Sequence, residues 1–502
     1  MQLRDHVGST KPAVVLHPSG VVVTFTELEA RANRLAHFLR RAGLRAGDTV
    51  AILMENNEHI HAAMWAARRS GFYYTLVNTH LFASEIAYIV SDSGAKAVIS
   101  SSAMRPVCEE LPIESLAVAV IVDDELDGWQ RYPECVATEA STPIVDECDG
   151  LLLQYSAGST GRPKGIRRPL SSARATLSTP VFEALGVSED SVYLSPAPTY
   201  HTAPAMWTMA AQAVGATTVV MERFDAEQAL ESIERYGVTH AQFVPSMFVR
   251  MLRLPEETRR TYDLSSLLRV VHAAAPCPPA IKRQMIDWWG PIVDEYYGSS
   301  EGAGISFIRA EEWLERPGSV GKPMLGVPHI LDEGGAELPT GQVGEVYYEG
   351  GYPFEYLNDQ VKTADSRSAE GWVTVGDVGY VDDDGYLYLT DRRNHMIISG
   401  GVNIYPQETE NMLISHPLVV DAAVFGIPDD VMGQSVKAVV QLNDPARADD
   451  ALADDLIAWL QDRLAHYKCP RSISFEPNLP RTDAGKLYKQ QLIDKYAATG
   501  SR

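Results

Sequence analysis

The chain lacks the cysteine spacing that would signal a disulfide framework or a metal clip. Cys108, Cys135, Cys148, Cys277 and Cys469 stand far apart, with no C-x-x-C pair and no Cys/His ligand spacing. An odd, scattered set of this kind points to reduced thiols in a cytoplasm. Long apolar runs are also missing. The longest mostly apolar stretch, residues 207–221, contains Gln212 and is too short to cross a bilayer. The N-terminus, "MQLRDHVGST", has no apolar signal region. Positive charge is scarce: 43 Lys and Arg against 66 Asp and Glu leave a net charge of −23. Nucleic acid needs a basic face, so this balance argues against such a partner. Basic groups that matter are expected around one anionic ligand. Together these absences predict a soluble, cytoplasmic protein with no transmembrane segment.

What is present reads as α/β. A chain of 502 residues exceeds one core and predicts two or three domains. "KPAVVL" and "VVVTF" flank "HPSG" as a hairpin, and Thr26 with Glu29 reads as a capping box before a helix carrying Leu28, Ala32, Leu35 and Leu39. Apolar runs such as "DTVAILM", "AKAVIS", "ATTVVM" and "LLRVVHAAA" alternate with helical segments. That pattern predicts largely parallel sheets with helices on both faces. From about residue 318 short strands and turns take over, including a hairpin turning at Asp384-Gly385. After "DRRNH" the chain becomes small and α+β. The expected division is residues 1–391 and 392–502, with the boundary near 391–395.

The stretch "LLLQYSAGSTGRPKGIRRPL", residues 151–170, carries the first chemistry. A strand opening into Gly158, Ser159, Thr160 and Gly161 lets consecutive N–H groups converge on an anion. Hydroxyls of Ser156, Ser159 and Thr160 and the charge of Lys164 add to that cradle. It departs from G-x-x-x-x-G-K-[ST], since Pro163 precedes the lysine and Gly165 follows it. Taken alone, such a glycine-serine stretch is more often a mobile surface turn.

The string "YSAGSTGRPKG" resembles the signature loop of the adenylate-forming superfamily, which includes acyl-CoA synthetases, luciferases and peptide-synthetase adenylation domains. Further segments follow in the family's order: "YYGSSEG", residues 296–302; "GWVTVGDVGYVDDDGYLYLTDRRNHMIISGGVNIYPQETE", residues 371–410; and "LPRTDAGKLYK", residues 479–489. The resemblance spans almost the whole chain. It implies a large N-terminal domain with a distorted β-barrel subdomain, and a small mobile C-terminal α+β domain.

By resemblance, Lys486 bridges the substrate carboxylate and the α-phosphate of ATP, and Glu301 with Thr160 holds Mg²⁺. Ser156, Gly158, Ser159, Thr160, Gly161, Lys164 and Ser300 surround the nucleotide phosphates. Tyr297 packs on adenine, with a buried core tyrosine as the alternative reading. Asp377 and Arg392 correspond to the ribose-contacting pair; without the motif they read as a salt bridge. His201 in "APTYHTAP" and Ala273 and Ala274 in "VVHAAAPCPP" align with the acyl pocket, the alanines standing where many relatives carry glycine. Amino-acid-activating relatives place an aspartate near His201; none stands here. Ser399, Gly400 and Gly401 align with the channel for the CoA thiol. Asn394 takes the hinge position, where Asp or Lys is usual. His272, Trp288 and Trp289 read as structural.

The reaction so implied is ATP-dependent joining of a fatty or other apolar, even bulky ring-bearing, acid to CoA, with AMP and pyrophosphate released. The implied partners are small molecules (ATP, carboxylic acid, CoA), with Mg²⁺ as cofactor and a homodimer left open. Three alternatives stay open: an acyl-AMP ligase serving a carrier protein, a luciferase-like oxygenase, and a catalytically silent nucleotide-binding relative.

Overall fold

The computed structural model describes residues 3–8, 10–156, 163–173, 180–429, 431–481 and 487–497. Its larger part is built on two sheets that share a layer of helices. Six strands run parallel in the first: Pro12–His17, Thr217–Met221, Val192–Ser195, His240–Phe243, Arg269–His272 and Val293–Gly298. A second, wholly parallel sheet includes Ala95–Ser100, Thr49–Leu53 and Tyr73–Leu76. The helices Phe25–Arg41 and Ile60–Arg69 lie between them, so that Leu28, Leu35 and Met64 meet Leu16 and Val220 on one side and Ile52 and Val120 on the other. Each outer face carries its own helices and core. Unbroken apolar strands therefore lie where both faces are covered, as their sequences predict.

The expected hairpin is present, with Val14 opposite Val23. The capping box is displaced. "TFTELE" holds two overlapping T-x-x-E patterns, and the chain uses the earlier one: Thr24 Oγ1 accepts from Glu27 N–H at 3.2 Å, while Glu27 Oε2 accepts from Thr24 N–H at 2.8 Å. Burial decides between them. Phe25 must be inside, and Glu29 is the buried bidentate partner of Arg69, at 2.8 and 2.7 Å. Thr26 instead accepts from Gly8 N–H.

Past Val293–Gly298 the large sheet turns antiparallel, through Ile305–Ile308 and Ser319–Leu325. It continues in the order Leu387–Arg392, Val373–Val381, Gly344–Glu349 and Val327–Leu331. Ser319–Leu325 and Val327–Leu331 stand at opposite ends of this five-strand run yet are joined by Gly326 alone. The run is therefore curled into a barrel-like shape, though no ladder among the described residues closes it. After residue 392 comes a smaller α+β unit: the long hairpin Val419–Asp429 and Gly433–Leu442, flanked by Pro406–Ser415, Asp450–Gln461 and Lys489–Ala497. Among the described residues no helix is long and apolar enough to cross a membrane.

Candidate active site

The carboxyl edge of the large sheet gathers the polar groups. The strand Val293–Gly298 ends in Ser299, Ser300 and Glu301, and Gly302 turns the chain at φ +72°. The positive φ favours glycine here, and a Cβ at Gly302 would stand 2.6 Å from Arg168 Nη2 and displace it. That same Nη2 donates to the Ser300 carbonyl at 2.6 Å, and Ser300 Oγ lies 3.1 Å from Thr202 Oγ1. Tyr297 Oη donates to Asp377 Oδ2, whose other oxygen is 3.0 Å from Arg392 Nε. Asp377 and Arg392 face each other across the antiparallel register, which is why residues distant in sequence meet. Burial and the Asp377 charge push the Tyr297 hydroxyl well above its ordinary range, and Asp377 raises Arg392 further. Tyr297 stays a neutral donor and Arg392 a cation.

On the adjoining side, Gln154–Ser156 and Lys164–Arg167 form a hairpin with Ser156 opposite Lys164. Gly158, Ser159, Thr160 and Gly161, and likewise Lys486, lie outside the described residues. The short strand Glu355–Tyr356 pairs with Lys164–Arg167, Tyr356 opposite Ile166. Tyr356 Oη donates to Glu301 Oε1 at 2.9 Å, and Lys362 Nζ sits 4.1 Å from the Tyr356 ring centre. Burial, then contact with Lys164, pushes the Lys362 ammonium down to about 8. Glu301 suits a hard divalent cation: it is a half-buried carboxylate with one oxygen held by Tyr356 and no basic side chain bonded to it among the described residues. Mg²⁺ keeps several waters and needs few protein oxygens.

A third neighbourhood lies where the helix Thr202–Ala213 starts. Its approach is braced by Asn56, which accepts from Thr199 N–H at 2.8 Å and donates to Met221 O at 2.7 Å. His201 occupies the N-cap position, with no capping bond from its ring to the helix, and packs on Tyr200, ring centres 4.6 Å apart. One and a half turns on, Trp207 stacks on Tyr296 at 5.4 Å and 19°, and Gln242 Nε2 donates to Tyr296 Oη at 2.8 Å. Ala273 is buried beyond Arg269–His272, and Ala274 adopts φ +74°, a left-handed conformation that favours glycine. Beneath them, Lys282 Nζ pairs with Glu295 Oε2 at 2.7 Å, and His272 Nε2 lies 3.4 Å from that oxygen. His272 is fully buried, with a pKa well below 6.5 through burial and the Lys282 charge.

The smaller unit supplies the remaining positions. Ser399 is buried at the end of Ile397–Ser399, and Gly400 and Gly401 turn the chain at φ +57° and +79° into Val402–Ile404. No hydrogen bond or ion pair among the described residues joins them to the Tyr297 cluster. Asn394 is exposed in the single turn Arg393–His395. Just before it, Asp391 Oδ2 accepts from Gln407 N–H at 2.9 Å, at the start of the helix Pro406–Ser415. Arg168, Tyr356, Lys362, Trp207 and Gln242 escaped the sequence reading. Only Arg168 left a signal there, as half of an Arg-Arg pair directly after the glycine loop of an acidic chain.

The AMP-binding enzyme family matches residues 3–355, and the AMP-binding enzyme C-terminal domain matches residues 408–486. The chain is 30% identical to the fatty acid--[acyl-carrier-protein] ligase ScoC of Streptomyces coeruleorubidus, over 98% of this chain and 95% of that protein. It is 33% identical to a feruloyl-CoA synthase of Amycolatopsis sp, over 96% of each. The structure of the anthranilate CoA ligase AuaEII in complex with anthranoyl-AMP matches with a TM-score of 0.88 at 26% identity, covering 99% of this chain and 97% of that one.

Proposed function

Because this chain belongs to the AMP-binding enzyme family and is an AMP-forming acid–thiol ligase, we propose that it activates an apolar carboxylic acid as its adenylate and passes the acyl group to CoA. A free carboxylate resists nucleophiles, because its charge repels them and oxide is a poor leaving group. Attack of a carboxylate oxygen on the α-phosphorus of ATP breaks the bond to the β-phosphate and releases pyrophosphate. The CoA thiolate then displaces AMP. Two anions meet in the first step, so positive charge and oriented donors must converge there.

The observation that carries the reading is the interlocked set Tyr297–Asp377–Arg392 beside Glu301. Asp377 and Arg392 serve the ribose hydroxyls and Tyr297 the adenine face. Ser156, Gly158, Ser159, Thr160, Gly161, Lys164 and Ser300 line the phosphates. Glu301 and Thr160 would hold Mg²⁺, which supplies charge neutralisation at the phosphate oxygens when bound. Lys486, from the second domain (residues 392–502), bridges carboxylate and α-phosphate. Rotation at Asn394 then exchanges it for Ser399, Gly400 and Gly401 at the thiol channel. His201, Ala273 and Ala274 border an acid site backed by the rings of Trp207 and Tyr296, which supports an apolar acid.

The test is pyrophosphate release against short, long, aromatic and steroid-type acids with CoA present, repeated on Lys486→Ala. The variant should lose adenylation by about two to three powers of ten, the scale of one preorganised contact, and keep most thioester formation from supplied acyl-adenylate. Equal loss of both half-reactions in a folded variant would overturn the assignment of Lys486. A second reading, delivery to a carrier-protein thiol, draws support from the ScoC relative. Acid-dependent pyrophosphate exchange without any CoA thioester would select it.

A further inference from the structure

Lys164 and Lys362 are an anomaly in a chain with a net charge of −23. Lys362 lies close enough to feel the Lys164 charge, and neither forms an ion pair with a carboxylate among the described residues. The framework around them is firm. Asp359 Oδ1 accepts from the Lys362 N–H at 2.9 Å and fixes the start of the helix Gln360–Asp365. The Lys362 side chain lies on the face of Tyr356, at 4.1 Å, while the edge of that ring reaches Glu301 at 2.9 Å. The pairing of Tyr356 with Ile166 sets Lys164 two residues along the neighbouring strand. Arg168, four residues after Lys164, sits close enough to feel the Glu301 charge, and a hydrogen bond to the Ser300 carbonyl holds it there. Arg168 and Lys362 thus stand within reach of one carboxylate, with Lys164 beside Lys362. Like charges held together in a half-buried place repel, and an anion with several oxygens between them would turn that repulsion into attraction.

We propose that Lys362 is a second phosphate-binding cation, which with Lys164 seats the two terminal phosphates of ATP and the pyrophosphate they become. The inference rests on the adenylate-forming reading and extends it to a residue outside every motif that carries the resemblance. In the balanced step, a carboxylate oxygen bonds to the α-phosphorus as the α–β bridging bond breaks. The bond's electron pair leaves on pyrophosphate, and no proton is transferred. Charge therefore builds on the departing group, where a second ammonium counts most.

The test titrates inorganic pyrophosphate into the full-length protein with Mg²⁺ present, followed by calorimetry, for wild type, Lys362→Met and Lys362→Arg. Lys362→Met keeps the apolar stem on Tyr356 and deletes the charge; Lys362→Gln replaces it if the first variant fails to fold. Pyrophosphate affinity should fall about tenfold or more, the scale for one lost charge-assisted hydrogen bond. The KM for ATP should rise with it, and Lys362→Arg should recover most of both. Thioester formation from supplied acyl-adenylate involves no pyrophosphate and should not change. Pyrophosphate affinity within twofold of wild type in a folded Lys362→Met would overturn the proposal, as would a loss that arginine does not restore. Failure of the ligase reading looks different: no acid would stimulate pyrophosphate release from the wild type, whatever the titration showed.

Discussion

Tyr296 and Tyr297 are neighbours on one strand and live in different chemistries. Tyr297 donates a hydrogen bond to a carboxylate that is itself ion-paired with Arg392. Tyr296 accepts from an amide, Gln242, and lays its ring on Trp207. Strand alternation sends adjacent side chains to opposite faces, so a single step along the backbone separates a charged neighbourhood from an aromatic one. The first is assembled by antiparallel register, with Asp377 opposite Arg392; the second is assembled by packing of the helix Thr202–Ala213 against the sheet. Two regions fixed by different contacts should respond to mutation separately, and which Michaelis constant moves will show it.

Between these two regions the larger effect is expected at Asp377. Asp377→Ala deletes the acceptor of Tyr297 and the partner of Arg392 together, removing hydrogen bonds to charged groups of the kind worth about 1.5–3 kcal/mol. The KM for ATP should rise about 10- to 100-fold while the KM for the acid stays within about threefold. Steady-state kinetics with each substrate varied in turn checks this, and equal rises in both would break the separation. Trp207→Leu probes the opposite face. Removing the ring that stacks on Tyr296 should move kcat/KM towards longer or bulkier acids by about tenfold, within the range set by small changes in an apolar pocket. ATP should bind as before. A shift in the ATP constant, with acid preference untouched, would place Trp207 on the wrong side of the strand.

How much of this could be read beforehand depends on what kind of contact made it. The covered parallel sheets and the early hairpin follow from unbroken apolar runs and turn residues, which are local signals. "TFTELE" shows where local signals stop: two equivalent caps are written there, and only the burial of Phe25 and the pairing of Glu29 with Arg69 choose between them. Asp377 and Arg392 stood out through resemblance, and as bare residues they read as an ion pair, which they are. Lys362 left no trace, because its importance comes from Tyr356 and Lys164, brought together by a two-residue strand. Ala274 reads in the sequence as an alanine where glycine is common, but its φ of +74° is a property of the fold. The glycine loop and Lys486 lie outside the described residues, so their roles rest on pattern and chemistry alone.

The floor of the aromatic side carries an acid-sensitive element. His272 is held neutral, its pKa well below 6.5, while in the unfolded chain it takes a proton at its ordinary value. A base whose folded pKa is lowered costs stability as pH falls below the unfolded value. At pH 5.5, about one unit under 6.5, the loss should be on the order of 1 kcal/mol. His61, buried and pushed down to about 4, adds a similar loss elsewhere in the core. Denaturant midpoints at pH 7.5 and 5.5 should therefore separate more for wild type than for His272→Gln, which should lack the His272 share of the difference and keep the share of the other buried histidines. An unchanged difference would mean that His272 does not titrate on unfolding as this environment requires.

Ala274→Gly should give the smallest effect and the opposite sign. An alanine in the left-handed region carries about 1–2 kcal/mol of steric cost, and glycine removes it at the expense of some chain entropy in the unfolded state. The net gain should be about 0.5–1 kcal/mol, visible as a rise of about 1–2 °C in the thermal midpoint. The KM for ATP should not move, since the strain sits where Arg269–His272 leaves the sheet, away from the Tyr297–Asp377–Arg392 set. A lower midpoint would mean that the methyl group makes contacts worth more than its strain. In that case the alanine is retained for packing against the acid, and the KM for the acid, not the midpoint, becomes the quantity that Ala274 sets.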